Sequence, residues 1–342
     1  MTRDTVFRIA SMTKAVTSVA AMQLVEQGKL TLDDPVPNID PALGAPQVLE
    51  GFDAAGAPIL RPAQAADHAP PSADPTPPAS ATICGTPTRS ATSRTPACRR
   101  PRPARSPRCG MPLAFDPGER WEYGVNLDWV GILVETFSGQ SLDAYFRDHI
   151  LAPLGMRDTG FVASDAMRAR QASVHVRKAD GSLAPQPLET PFKPEFYAGG
   201  GGLYSTRAHL TFVQMLLHGG TFKGARILKP ETVAMMGKNQ IGKIEAGVLK
   251  TYIPARTNDV DLFHGQSLKW GLGYMINMEP GPNGRSAGSL TWAGIFNTYY
   301  WIDPAKRITG VYMTQILPFA DPTALKVCGQ FESGIYNAAR MA

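Results

Sequence analysis

A mixed α and β fold, of the α/β (α+β) class, is predicted for this chain from two patterns and one exclusion. Apolar residues recur three and four apart near the start and through the middle of the sequence, as on helices that bury one face. Toward the C-terminus the pattern changes to short aromatic and β-branched runs broken by turn residues, as in an antiparallel meander. No apolar stretch approaches the roughly 20 residues that span a bilayer, so no membrane segment is expected. With 43% hydrophobic residues in 342, the chain can bury one large core or two lobes sharing an interface.

The first helix is predicted to start at Ser11, because Met12, Ala15, Val16, Val19, Ala20, Gln23 and Leu24 follow at helical spacing and Gly28 suits its end. Helices are also expected over residues 126–137 and 142–154, with Gly139 and Pro153 as punctuation. A flexible run, Gly199-Gly200-Gly201-Gly202, leads to Ser205, which is expected to cap a helix carrying Leu210, Phe212, Val213, Met215, Leu216 and Leu217 and ending at Gly219-Gly220. Strands are expected within 270–276, 289–302 and 308–316, separated by turn signals such as Gly281-Pro282-Asn283-Gly284 and Asp303-Pro304. A last helix over 322–340 would bury a stripe of Leu325, Val327, Phe331 and Ile335.

The formal charge of +5 resides in one place. Residues 66–110 hold seven Arg against Asp67 and Asp74, so the remainder is neutral and no general attraction to nucleic acid follows. That segment also has ten Pro, with Ile83 as its single large aliphatic side chain, and cannot add a packed core. Three readings fit it: a disordered linker, a basic arm for a polyanion, or coding sequence read out of frame. A one-nucleotide shift across residues 66–75 permits Pro-Ile-Thr-Leu-Arg-His-Leu-Leu-Thr, an ordinary amphipathic text. Cys84, Cys98 and Cys109 lie in the same segment and Cys328 stands alone, with neither metal-ligand spacing nor a disulfide framework.

Ser11-Met12-Thr13-Lys14 is the single Ser-x-x-Lys in the chain. On a helix, three-residue spacing puts both side chains on one face. A serine hydroxyl attacks well only when a neighbour takes its proton, and a lysine can do so when its surroundings weaken its hold on its own. The same four residues also suit a capping serine followed by an exposed lysine. The surrounding text favours chemistry: Phe7-Arg8-Ile9-Ala10-Ser11-Met12-Thr13-Lys14 resembles the nucleophile segment of class C β-lactamases and family VIII carboxylesterases, within the penicillin-binding-protein-like serine hydrolases. The stretch from Phe115 through Asp116-Pro117-Gly118 to Tyr123 resembles that family's second motif, and Ser289-Leu290-Thr291-Trp292-Ala293-Gly294-Ile295 its third. Gly199 to Thr206 is similar to its glycine-rich entry into a helix.

The resemblance implies Ser11 as nucleophile, Lys14 as its deprotonating partner and Tyr123 as general base or proton shuttle. It also implies that the Ser11 and Ile295 backbone N–H groups form an oxyanion hole, with Gly294 and Trp292 bordering the substrate. The implied fold is β-lactamase/transpeptidase-like, an antiparallel sheet flanked by helices plus an inserted helical lobe. Residues 1–33 and 195–342 would form the sheet-containing lobe and 34–194 the helical lobe, interrupted by 66–110. Because Ser11 follows Met1 by only ten residues, whereas the family's nucleophile follows a helix and strands, a truncated and inactive product is one expectation. Residues 1–7 lack a secretory signal, which sets a cytoplasmic expectation.

Two departures bear on substrate. β-Lactamases carry Lys or His before Thr-Gly in the third motif, a cation and hydroxyl for the substrate carboxylate; Trp292-Ala293-Gly294 supplies neither. The second motif usually has Asn two residues after the tyrosine, where Val125 stands and Asn126 follows. A small-molecule apolar carboxylic ester is therefore the expected substrate, with a β-lactam or D-alanyl-D-alanine peptide as the alternative. A non-catalytic product that binds polyanions through 66–110 is the alternative from another class. No cofactor or metal is expected, and the sequence assigns no oligomeric state. Gly284-Arg285-Ser286-Ala287-Gly288 matches the Gly-x-Ser-x-Gly elbow but lacks its strand-before, helix-after context, so Ser286 is read as a hairpin-loop residue. His68, His149, His175, His209, His218 and His264 show no metal-binding spacing and are read as surface or capping residues.

Overall fold

The first long helix, α1 (Thr13–Glu26), is buried on nearly every side rather than along one stripe, with Val16, Val19, Ala20, Ala21, Met22 and Leu24 fully enclosed. Its small residues permit this, since a helix apolar all round belongs in a core. The computed structural model describes residues 1–33, 47–63, 112–124, 126–187 and 197–341. The Pro/Arg-rich segment 66–110 with His68 and three of the cysteines, the boundary residues 34 and 194, and Val125 lie outside the described residues.

One face of the molecule is a five-stranded antiparallel sheet in the order β13-β12-β11-β10-β9. Its strands are β9 (Leu268–Trp270), β10 (Met275–Asn277), β11 (Ser289–Gly294), β12 (Thr298–Asp303) and β13 (Ile308–Tyr312). β11 and β12 are buried along their whole length, which places them at the sheet centre. The expected meander is thus present. The run 270–276 is two strands rather than one, because Gly273, at φ 101°, turns the chain back and the Gly271 N–H donates to the Tyr274 carbonyl at 2.8 Å.

α1 packs against α2 (Asn126–Ser138) and against the sequence after α3 (Leu142–Phe146), which continues as a wide turn over Arg147–Leu151. Further short strands lie outside the sheet; β1 (Phe7–Arg8) pairs with β6 (Tyr204–Ser205). Ser205 is therefore not a helix cap. Its hydroxyl bonds Thr159 at 2.7 Å, and α5 (His209–Leu217) begins after Ala208, whose N–H donates to the Thr206 hydroxyl. β2 (Gln47–Phe52) and β3 (Pro58–Pro62) form a hairpin whose Val48 packs with Leu113 and Phe115. β4 (Val174–Arg177) pairs with β5 (Leu183–Gln186) on one side and parallel to β14 (Ile316–Leu317) on the other, and Arg177 bonds Asp321 beside it.

The final helix, α7 (Pro322–Met341), corrects the expected stripe. Ala324, Cys328, Glu332 and Tyr336 are buried, while Val327 and Phe331 are each 42% exposed. Polar partners explain the rotation by one residue. Glu332 makes a bidentate ion pair with Arg285 at 2.6 and 2.7 Å, and the Tyr336 hydroxyl donates to Asp303 at 2.9 Å. Burial corrects a second expectation: His209 is fully enclosed against Phe212 and Tyr300, not on the surface.

Among the described residues no helix is long and apolar enough to cross a membrane.

Candidate active site

Ser11 sits in a single 3-10 turn, Ala10–Met12, that leads into α1. The segment is held from both sides: the Ile9 N–H donates to the Leu203 carbonyl at 3.0 Å, and the Thr13 hydroxyl donates to the Ala10 carbonyl at 2.6 Å while accepting from the Leu203 N–H. Ala10 has a φ of 45°, a left-handed conformation that costs a residue with a Cβ about 1–2 kcal/mol. The turn presenting Ser11 is thus imposed by its neighbours.

One helical turn on, Lys14 is buried at 3% exposure. Its Nζ donates to the Gly200 carbonyl at 2.8 Å and stands 4.8 Å from the centroid of the Tyr123 ring, a cation over an aromatic face. Thr17 adds a bond from its hydroxyl to the Gly199 carbonyl at 2.6 Å. Gly199 threads between α1 and α2 where no side chain fits, since a Cβ there would fall 2.2 Å from the Leu127 carbonyl oxygen. The glycine run is thus a structural requirement at this crossing, beyond flexibility.

Tyr123, half-buried, is fixed by an aromatic stack. Its ring lies 4.9 Å from Trp292, which meets Trp270 edge-on at 4.6 Å, and Trp270 meets Trp121 at 5.1 Å. The Trp292 indole N–H points to the Tyr123 hydroxyl at 3.4 Å. A cleft of about 420 Å³ opens here, lined by Ser11, Tyr123, Trp292, Gly294 and Ile295. Five of the six residues picked out by sequence therefore line one cavity, and the sixth, Lys14, reaches the Tyr123 ring from α1. Ser286 lies in the β10–β11 loop, where its N–H donates to Asp303.

The rest of the cleft lining carried no sequence signal. Leu249, Tyr252, Ile253, Val260 and Phe319 make it apolar. Its backbone is pinned by the Leu249–Val260 bridge and by the Phe319 N–H donating to the Arg256 carbonyl at 2.8 Å. The charges in the cleft are few: Lys250 is paired with Asp259 at 2.7 Å, Arg256 is exposed, and burial raises the Glu122 carboxyl above its ordinary value. Asp128, in the first turn of α2, was also missed; it accepts from the Gly200 N–H at 2.7 Å. An acid at a helix start reads as a dipole partner, and nothing local links it to a glycine 72 residues away. Among the described residues no group of three or more His, Cys, Asp or Glu side chains is placed to hold a metal ion.

A sheet backed by helices, with a serine at the start of a buried helix and a tyrosine lining the same apolar cleft, defines a class of serine-active enzyme folds. A family model described as Beta-lactamase matches residues 1–326, and the chain belongs to that family and is an enzyme of the serine hydrolase type. Protein Rv1367c of Mycobacterium tuberculosis is 34% identical over 343 residues, covering 93% of this chain and 79% of that protein. Monacolin J acid methylbutanoyltransferase of Aspergillus terreus is 30% identical over 345 residues, covering 97% of this chain and 82% of that protein. Unliganded simvastatin synthase from Aspergillus terreus superposes with a TM-score of 0.83 at 29% identity, covering all of this chain and 86% of that one. A penicillin-binding protein homologue from Caulobacter crescentus shares the fold with a TM-score of 0.66 at 19% identity, covering 97% of this chain and 85% of that one.

Proposed function

We propose that the chain is a serine ester hydrolase that forms an acyl-enzyme on Ser11, with Lys14 and Tyr123 as the proton-transfer pair. The observation that carries this reading is the shared cleft: Ser11 and Tyr123 line one apolar cavity while the Lys14 ammonium stands over the Tyr123 ring. Ser11 Oγ attacks the ester carbonyl carbon as its proton passes to the Tyr123–Lys14 pair, which accepts it in the state that has lost one proton, phenolate with ammonium or phenol with amine. The backbone N–H groups of Ser11 and Ile295 receive the developing oxyanion. Collapse expels the alkoxide, which takes the proton from Tyr123, and water then attacks the acyl carbon to restore Ser11. An alcohol in place of that water would give acyl transfer. The relatives named methylbutanoyltransferase and lovastatin esterase, the latter 28% identical over 359 residues, support both outcomes of one intermediate.

The substrate in this reading is a small apolar ester. Trp292, Ala293 and Gly294 put no cation where a lactam carboxylate would sit, and Leu249, Ile253 and Phe319 face them with hydrocarbon. The chain is organised in the same reading as a sheet-containing lobe, 1–33 and 195–342, and a helical lobe, 34–194. The polyanion-binding alternative rests on 66–110, outside the described residues.

The test is a short-chain chromogenic ester. Ser11→Ala is expected to abolish its hydrolysis, and unchanged turnover would overturn the assignment. A chromogenic cephalosporin is expected to turn over at least about 100-fold more slowly than the ester, the scale of losing a charge-assisted contact of ~3 kcal/mol. Faster cephalosporin turnover would replace the esterase reading with a β-lactamase.

A further inference from the structure

Resting on the reading of Lys14 as proton acceptor, we propose that Asp128 is a positioning residue that aims Lys14 at Ser11 and Tyr123 through the backbone of Gly200. Three segments distant in sequence meet at this glycine: α1 with Lys14, α2 with Asp128, and the glycine run. The Gly200 N–H donates to Asp128 Oδ1 at 2.7 Å and its carbonyl accepts from Lys14 Nζ at 2.8 Å, so one residue's two polar groups join the carboxylate to the ammonium. The point where a Cβ on Gly200 would sit is 3.0 Å from Lys14 Nζ and 3.1 Å from Asp128 Oδ1. A side chain there would have to push both charged ends aside by a few tenths of an ångström.

Asp128 does two things there. Its oxygen fixes the orientation of the Gly200 residue, so that the carbonyl faces Lys14 rather than turning into the cleft. Its negative charge favours the ammonium form of Lys14, and desolvation raises the Asp128 carboxyl against the opposing pull of Gly200 and Lys14. Among the described contacts, Lys14 Nζ stands over the Tyr123 ring and Asp128 lies beside its carbonyl partner Gly200. A helix-start acid that merely steadied α2 would need neither contact.

Two variants separate these roles. Asp128→Asn keeps an oxygen for the Gly200 N–H and removes the charge; Asp128→Ala removes both. With the short-chain ester, Asp128→Ala is expected to lower kcat by roughly 10- to 100-fold, part of what a positioned base contributes, while KM stays within about 3-fold. Asp128→Asn is expected to recover part of that kcat and to move the acid limb of kcat against pH to lower pH, because Lys14 releases its proton more readily without the neighbouring charge. Thermal melts of both variants report folding. An Asn variant with the unaltered pH profile overturns the inference even where Asp128→Ala fails to fold. Such a result leaves the hydrolase reading standing if Ser11→Ala is still inactive, and full activity of Ser11→Ala would remove both.

Discussion

Gly294 ends β11 directly beneath Ile9: a Cβ at position 294 would lie 2.3 Å from the Ile9 carbonyl oxygen. Strand and Ser11 turn are therefore in close contact, with Thr298 closing the other side at 2.4 Å from the same point. Gly294→Ala must push the strand away from the Ser11 turn. We expect it to cost about 1–3 kcal/mol of stability by overpacking and to lower ester hydrolysis at least ~10-fold by widening the gap between the Ser11 and Ile295 N–H groups. Denaturant melts and initial rates check both.

His209 predicts a pH dependence of stability. Complete burial lowers its pKa from 6.5 to about 3, and neither ring nitrogen has a hydrogen-bond partner among the described residues. The unfolded chain binds a proton on this ring below pH 6.5 and the folded chain does not until about pH 3. Its stabilising share is thus full above pH 6.5 and lost as pH falls toward 3, by up to about 1.4 kcal/mol per pH unit. His209→Leu should flatten the fall in stability between pH 6 and pH 4 and cost little at pH 7, since both unpaired nitrogens leave together. Parallel stability curves for the two proteins would assign the acid sensitivity elsewhere.

The Arg285–Glu332 pair couples the β10–β11 loop to α7 away from the cleft. Both side chains are under 10% exposed, so Glu332→Ala leaves a buried guanidinium without its partner and should cost about 3–5 kcal/mol. Replacing both residues with apolar side chains of similar size should cost less than the single change. A double variant as unstable as Glu332→Ala would contradict that account.

Trp292 fixes Tyr123 from the third strand of the meander by ring packing and by its indole N–H at 3.4 Å. Trp292→Phe keeps most of the packing and removes the donor. We expect kcat to fall by a few-fold, about 1 kcal/mol for one long neutral hydrogen bond, with the melting temperature nearly unchanged. An equal loss of kcat and stability would make Trp292 a packing residue alone.

Helices such as α2 were legible because their burial follows an apolar spacing, as for Leu127, Val130 and Val134. The meander was legible from turn residues between aromatic runs. What stayed hidden was polar burial. In α7, Glu332 and Tyr336 turn inward because Arg285 and Asp303 wait there, and hydropathy assigns such residues to solvent. Ser205 looked like a cap, since its strand partner Phe7 is nearly 200 residues away. Within the site, the residues carrying a motif could be picked out, whereas Asp128 and the 249–260 segment reach it through long-range contacts that leave no local pattern.

Turnover in the proposed reaction passes through a covalent bond to one oxygen, Ser11 Oγ. Quenching the protein with acid during turnover of a slowly released aryl ester, then measuring intact mass and mapping the peptides, reads that bond directly. A single acyl increment on the peptide containing Ser11, absent in Ser11→Ala, is the expected result. An acyl group on another residue, or steady turnover by Ser11→Ala with no adduct on either protein, would contradict it.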